Sequence, residues 1–263
     1  MSQKSRLRPF VTSASVQGYE VYHYDTVSST NDVAKELAKR GGKEGIVILA
    51  DEQTRGRGRL NRRWLSPKGG IWLSIVLRPQ ISPAEACRIT FITSSAVAET
   101  LRQLYALDPA VKWPNDVLIA GRKVCGVLTE ASTRGGIVQF VVVGLGINVN
   151  VDLQVFPSRV RRDVTTLKRE LGHAVESMTL TKTLLQNFDY RYARLREGAW
   201  RPLLREWKSR ATFLHEPVSV TSMHEYLHGE AVDIDEDGAL LIRLETGVVK
   251  RVLAGDLKLR KQI

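Results

Sequence analysis

The chain has 263 residues, 43% of them hydrophobic, and its 39 Lys+Arg against 28 Asp+Glu give a formal net charge of +11. The apolar fraction excludes a disordered chain, nine prolines without periodic glycine exclude collagen-like sequence, and two cysteines, Cys87 and Cys125, make neither a disulfide framework nor a zinc site. No run approaches the ~18–20 apolar residues of a membrane span, and the opening Met-Ser-Gln-Lys-Ser-Arg-Leu-Arg has no apolar core behind it, so a cytoplasmic chain without a secretory signal is expected.

Residues 19–24 read as the first strand. Ser28-Ser29-Thr30-Asn31-Asp32 follows, with Ser29 and Asp32 at capping-box-like spacing, and Val33, Ala34, Leu37 and Ala38 share one helical face. The segment reads either as a plain cap or as hydroxyls and an amide gathered at a helix N-terminus for a small polar ring. Gly41-Gly42 closes the helix as a left-handed C-cap would. Residues 45–51 read as a buried strand.

The next segment is Gln53-Thr54-Arg55-Gly56-Arg57-Gly58-Arg59-Leu60-Asn61-Arg62-Arg63-Trp64. Gly56 and Gly58 let a ligand approach the main chain. The arginines are planar, permanently charged forks that match phosphate or carboxylate oxygens. The run fits a phosphate-holding loop, and equally a solvated basic loop or an RNA-binding Gly-Arg tract.

Residues 71–77 read as another strand, and Ser82-Pro83-Ala84-Glu85 starts a helix that runs to about residue 105. A meander follows, with a strand over 111–119 turning at Ala120-Gly121, one over 123–131 turning at Arg134-Gly135-Gly136, and one over 137–145. The first contains Lys112-Trp113-Pro114-Asn115-Asp116, with Pro114 expected to hold Trp113 extended. Lys112, in an otherwise apolar strand, must either meet an anion or snorkel to the surface. The last strand ends in Gly144-Leu145-Gly146-Ile147-Asn148, in isolation a plain turn.

Residues 149–178 lack a clear period and hold the basic knot Arg159, Arg161 and Arg162, so a long loop with one short helix is expected. Two helices follow, marked by Leu184, Leu185, Phe188, Tyr192 and Leu195 and by Trp200, Leu203, Leu204 and Trp207. Arg191, Arg205 and Arg210 belong to a basic series along them. From about residue 213 five short strands point to a small SH3-like barrel. No P-loop, dinucleotide fingerprint or Gly-x-Ser-x-Gly elbow occurs, and His23, His173, His215, His224 and His228 form no spaced metal site with cysteine.

In order along the chain stand Ser-Ser-Thr-Asn-Asp, Gln-Thr-x-Gly-Arg-Gly-Arg-x-x-Arg-x-Trp, Lys-Trp-Pro-Asn-Asp, Lys-x-x-Gly-Val-Leu and Gly-x-Gly-Ile-Asn-Val. Together they resemble the biotin–protein ligase family over roughly residues 20–260. Asn61 departs from the glycine usual there, although asparagine tolerates left-handed backbone well. Some members carry an N-terminal winged helix. About twenty residues precede the first predicted strand here, too few for one, so DNA binding is not expected.

The resemblance implies an α+β fold: a mixed, largely antiparallel sheet flanked by helices over residues 1–212, with an SH3-like domain over 213–263. It implies an enzyme that joins biotin to ATP as biotinyl-5′-AMP and passes biotin to a lysine of a biotin carboxyl carrier domain, with Mg²⁺ between the phosphates. Lys112, Arg57 and Arg59 are the implied catalytic residues. The implied biotin set is Ser29, Thr30, Asn31, Gln53, Gly56, Arg57, Gly58, Arg59, Lys112 and Gly126, with Ser29, Thr30, Asn31 and Gln53 on the ureido ring. The nucleotide set is Arg57, Arg59, Trp64, Asn115, Asp116, Lys123 and Asn148. The Gly-Arg loop and the segment around Phe156-Pro157 are the expected lids.

A lipoate ligase of the same fold is the alternative enzyme, and a basic nucleic-acid-binding protein using the net +14 of residues 1–210 is the alternative from another class. The basic helical series, Arg205 and Arg210 included, is an expected dock for an acidic carrier surface. Monomer and homodimer both remain open.

Overall fold

A computed structural model of the chain describes residues 18–222 and 225–259; the opening octapeptide and His224 lie outside them. Two sheets organise the described residues. The first has seven strands: β1 (Glu20–Val27), β2 (Ile46–Gln53), β3 (Ile71–Leu77), β4 (Pro109–Lys112), β5 (Asp116–Ile119), β6 (Arg122–Arg134) and β7 (Ile137–Ile147). Their order is β1-β2-β3-β7-β6-β5-β4, parallel between β1 and β2 and antiparallel elsewhere. Helices α1 (Thr30–Lys39), α2 (Cys87–Tyr105), α3 (Ser158–Arg161), α4 (Leu167–Leu171), α5 (Ser177–Arg196) and α6 (Trp200–Lys208) complete this part.

Every residue of β3 is buried, because both faces of the sheet are covered. Leu73, Ile75 and Leu77 join the core under α2, α5 and α6. Val76 joins a smaller core with Val33, Ala34 and Ala38 of α1. Side chains alternate along a strand. Trp72 and Ser74 therefore share the α1 face with Val76, as do Gly144 and Gly146 with Val142 of β7. This alternation decides which residues meet at the site.

The second sheet is antiparallel, five-stranded and SH3-like. It contains β8 (Pro217–Thr221), β9 (Tyr226–Ile234), β10 (Leu240–Arg243), β11 (Val249–Val252) and β12 (Asp256–Leu259), in the order β11-β10-β9-β8-β12. Its β9–β10 turn is fastened to the first part by buried aromatics. Trp113 Nε1 donates to the Gly238 carbonyl at 3.0 Å, and Trp200 Nε1 to that of Glu236 at 2.7 Å.

Several sequence expectations need correction. The strand expected over 111–119 is a hairpin, β4 then β5, broken by a turn holding a cis Trp113–Pro114 bond. Ser29 is the N-cap of α1 but makes no side-chain cap bond, and Asp32 binds Arg57 instead. Residues 149–178 hold α3, α4 and a 3₁₀ turn at Leu153–Val155 rather than one short helix. The basic series on α5 and α6 is not a free cationic face either. Arg191 is buried against Glu206, and Arg210 pairs with Glu99 at 2.8 Å and Glu206 at 3.3 Å. Other expectations match: Ser82 and Glu85 form a capping box before α2, and both residues of the Ala120-Gly121 turn take positive φ.

Candidate active site

A cleft of about 530 Å³ opens on the α1 face of the large sheet. One pole is built at the N-terminus of α1, where Ser29, Thr30 and Asn31 are buried. Gln53, at the end of β2, accepts hydrogen bonds through Oε1 from the Thr30 backbone N–H at 2.8 Å and the Thr30 hydroxyl at 3.1 Å. Its Nε2 donates to Ser66 Oγ at 2.8 Å. Ser74 Oγ lies 2.7 Å from Thr30 Oγ1 and 2.6 Å from Asn31 Oδ1. Asn31 Nδ2 donates to Glu130 at 2.7 Å. Buried polar groups linked in this way hold fixed positions. Gly144 makes room for Asn31, since a Cβ there would lie 2.0 Å from its Oδ1.

The Gly-Arg run forms the upper wall as a closed excursion from β2. Its entry is tied down by Thr54 N–H to Val27 O at 2.9 Å and Arg55 N–H to Ser28 O at 2.8 Å. Its two limbs pair through Trp64 N–H to Gly56 O at 2.9 Å and Gly58 N–H to Arg62 O at 2.7 Å. Leu60 and Asn61 make the bend with φ of 53° and 57°, so Asn61 holds a left-handed conformation it tolerates. Gly56 lies inside the excursion, where a Cβ would meet Trp64 O at 2.5 Å and Ser66 Oγ at 2.6 Å.

Arg57 reaches down to Asp32 at 2.6 Å and Glu130 at 3.5 Å. Glu130 also pairs with Lys35. Burial works against the Glu130 carboxylate, but hydrogen bonds from Lys35 and Asn31 and the charge of Arg57 outweigh it, holding its pKa below the usual range. Arg59 donates to Asn115 Oδ1 at 3.4 Å and to Gly255 O at 3.2 Å, joining the loop to the hairpin and to the small sheet. Burial lowers the Arg59 pKa, partly offset by the charges of Asp256 and Asp116, and an arginine remains protonated there. Arg62 pairs with Asp256.

The β4–β5 hairpin forms the opposite wall. Lys112 is the register partner of Asp116, and its Nζ stands 3.6 Å from Oδ2; the lysine of the apolar strand does meet an anion. Lys123 Nζ lies 2.5 Å from Asp116 Oδ1 and 5.0 Å from the centre of the Trp64 ring. Asn115 is anchored through Nδ2 to Val127 O at 2.7 Å. At the far pole Trp64 lies over Gly126 and Gly146, beside buried Asn148. Asn148 Nδ2 donates to Thr165 O at 3.1 Å. Its Oδ1 and Trp64 Nε1 are buried without a hydrogen-bond partner among the described residues.

The expected residues thus converge. Ser29, Thr30, Asn31, Gln53, Arg57, Gly58, Arg59, Trp64, Lys112, Asn115, Asp116, Lys123, Gly126 and Asn148 all line the cleft, and Gly56 supports its wall. Phe156 and Pro157 line it too, together with Arg159 of the second basic knot. Sequence reading missed Ser74, Glu130 and the Asp256–Lys258 stretch of β12. Ser74 had a signal, a lone hydroxyl in an otherwise apolar strand. Glu130 and β12 had none, since only the fold brings them here. Eight Arg or Lys and two Asp line the cleft, so it suits a polyanion flanked by a neutral polar pocket.

Comparison with known proteins gives a consistent picture. The biotin/lipoate A/B protein ligase family model matches residues 24–148, and that of the biotin protein ligase C-terminal domain matches residues 213–260. The chain is 36% identical to the biotin–[acetyl-CoA-carboxylase] ligase of Paracoccus denitrificans, covering 83% of this chain and 92% of that protein. It is 32% identical to the bifunctional ligase/repressor BirA of Bacillus subtilis, covering 95% of this chain and 77% of that one. Among solved structures, the biotin protein ligase of Aquifex aeolicus in complex with biotin and ATP superposes with a TM-score of 0.78 at 28% identity, covering 92% of this chain and 99% of that one.

Proposed function

The chain belongs to the biotin/lipoate A/B protein ligase family, and from that premise we propose how its cleft makes and transfers a biotinyl-adenylate. It is an ATP-dependent ligase that activates biotin to biotinyl-5′-AMP, releases pyrophosphate and biotinylates the biotin carboxyl carrier protein of acetyl-CoA carboxylase or a related carboxylase. The observation that carries this reading is the convergence of Arg57 and Arg59 from one loop with Lys112 from a distant hairpin on one cleft.

In the proposed arrangement the Ser29–Asn31 pole and Gln53 hold the ureido ring, whose two N–H groups and one carbonyl match the hydroxyls and amides fixed there. The biotin carboxylate then points toward Lys112. Attack on the α-phosphate brings two anions together, and preorganised cations in a dry site lower that barrier far more than water does. Lys112 bridges carboxylate and α-phosphate, while Arg57 and Arg59 neutralise charge on the phosphates and the departing pyrophosphate. Trp64, Lys123, Asn115, Asp116 and Asn148 form the nucleotide side, where the base lies against the indole and the unsatisfied Asn148 and Trp64 atoms face polar groups of the nucleotide. Gly126 leaves the floor flat.

The carboxylates of the cleft are committed, Asp116 to Lys123 and Lys112 and Asp256 to Arg62. Asp116 and Asp256 would be the carboxylates at hand for an Mg²⁺ that came in with the nucleotide, and the ion would supply further neutralisation of phosphate charge. Because an acyl-adenylate hydrolyses readily, the Gly-Arg loop and the Phe156-Pro157 segment act as lids over it.

We assign catalysis to residues 1–212 and a supporting SH3-like role to 213–263. No helix among the described residues is long and apolar enough to cross a membrane, and we place the enzyme in the cytoplasm. Much of its positive charge is turned into the cleft or paired, which favours a nucleotide over DNA as its anionic partner. The outer edge of β4 is already engaged, with Val111 N–H donating to Arg210 O at 2.9 Å, whereas β1 is the other sheet edge, where a second copy would pair in a homodimer. The discriminating experiment offers biotin and lipoate in equal amounts with ATP and an apo carrier domain. A biotin mass shift on the carrier is expected, and lipoylation alone would overturn the assignment.

A further inference from the structure

Asn31 lies across β7, the middle strand of the large sheet. Ser74 of β3 and Leu128 of β6 are the register partners of Gly144 on either side, and Glu130 follows Leu128 on the same face of β6. Gly144 has no side chain, so the Asn31 carboxamide spans the strand over it. Its Oδ1 is 2.6 Å from Ser74 Oγ, and its Nδ2 is 2.7 Å from Glu130 Oε2 and 3.4 Å from Leu128 O. Ser74, Thr30 and Asn31 are 0%, 3% and 4% exposed, so their polar atoms depend on one another or on a guest in the cleft. Ser74 and Glu130 themselves stand behind the lining of the cleft.

The direction of every bond in this chain follows from the few protons available. Glu130, between Lys35 and Arg57, is a carboxylate and only accepts. The Asn31 atom facing it is therefore the amide nitrogen, and the carbonyl oxygen faces Ser74. That oxygen also only accepts, so the one Ser74 proton goes to it. Ser74 Oγ then meets Thr30 Oγ1, at 2.7 Å, as an acceptor, and Gln53 Oε1 meets the same hydroxyl, at 3.1 Å, as another. Whichever of the two takes it, the Thr30 proton is spent inside the wall. Both Nδ2 protons of Asn31 are spent on β6. What Thr30 keeps for a guest is a lone pair.

We propose that Glu130 and Ser74 are positioning residues that set the demand for an N–H group at the ureido pole: the carboxylate orients Asn31, Asn31 orients the Ser74 hydroxyl, and Ser74 leaves Thr30 able only to accept. The proposal rests on the ligase reading above and deepens it, from which residues hold the ring to which residues decide what ring is held. A guest bearing N–H completes the chain. A guest with a ring oxygen at that place sets lone pair against lone pair, and the Thr30 proton cannot turn to meet it without abandoning Ser74 and Gln53. Without the carboxylate, the Asn31 amide can reverse. Ser74 then accepts from Asn31 and donates to Thr30, whose own proton becomes available to the guest. Without the Ser74 hydroxyl, Gln53 at 3.1 Å is the one remaining claim on that proton within the chain.

The test measures kcat/KM in ATP–pyrophosphate exchange for biotin and for two cyclic carbamates, each with a ring oxygen in place of one ureido N–H. A site built to bind an N–H group rejects an analogue lacking it by up to roughly 10⁴–10⁵-fold, so the wild type should prefer biotin over at least one carbamate by about 100-fold or more. S74A and E130Q, which break the chain at different links, should lose activity with biotin far more than with that carbamate, narrowing the preference about tenfold or more. A merely structural role would lower both substrates by the same factor and leave the preference intact, and that result in both variants would overturn the proposal. Equal use of biotin and both carbamates by the wild type would overturn it without any variant. Absence of biotin-dependent exchange in the wild type would instead overturn the ligase reading itself.

Discussion

Gly126 of β6 and Gly146 of β7 are register partners, and the Trp64 indole lies across the bare patch they leave. A Cβ on Gly146 would come within 2.3 Å of Trp64 Nε1, and one on Gly126 within 3.0 Å of the ring. Two absent side chains therefore make the seat of an aromatic platform. Gly146→Ala should displace Trp64 and weaken the nucleotide. Stacking of a base on an aromatic is worth roughly 1–3 kcal/mol, so the KM for ATP is expected to rise about tenfold or more. Biotin binding, followed by calorimetry without nucleotide, should change little.

The bend of the Gly-Arg loop sets a second expectation. Asn61 has φ of 57°, and the left-handed region costs an ordinary residue roughly 1–2 kcal/mol and a β-branched one more. Asn61→Val should weaken loop closure and raise the KM for biotin by about tenfold. Asn61→Gly should stay near wild type, and steady-state kinetics with biotin as the varied substrate distinguishes the two.

Gln53 satisfies the first N–H of α1 and the Ser66 hydroxyl together. Gln53→Leu leaves those groups without partners, at a cost of about 1–3 kcal/mol per unsatisfied buried group. Urea denaturation should show reduced stability and biotin titration reduced affinity, whereas an unchanged midpoint would remove Gln53 from the supporting network.

Glu130 gives a pH dependence with a definite sign. Its folded pKa is depressed, so its contribution to stability is complete above the ordinary carboxylate value of about 4.3 and is lost as pH falls through the lower folded value. The stability difference between wild type and Glu130→Gln should be constant near neutrality and shrink in that acid window, measured by denaturant midpoints at several pH values. A difference that grows on acidification would contradict the role of Lys35, Asn31 and Arg57 around it.

Much of the site was legible because its residues stand in short runs with chemical character of their own: hydroxyls and an amide at a helix start, glycines between arginines, a lysine in an apolar strand. What stayed hidden depends on register and alternation. Glu130 joins Asn31 only because β6 places it on the same face as Gly126, and Asp256 meets Arg62 across almost two hundred residues of sequence. The Trp113–Pro114 turn was concealed inside an apolar stretch that reads equally as one strand. Arg191 and Arg210 look solvated in a helical pattern, yet their acidic partners lie on α2 and α6 and become visible only when the helices pack.

The central claim is that cations from two separate stretches act on one phosphate. Biotin-dependent exchange of labelled pyrophosphate into ATP, measured for the wild type and for a folded Lys112→Ala variant, tests it most directly. The account predicts robust exchange by the wild type and at least a tenfold loss in the variant, equivalent to ~1.4 kcal/mol or more of transition-state stabilisation. Equal exchange by both proteins, or none by the wild type, would contradict it.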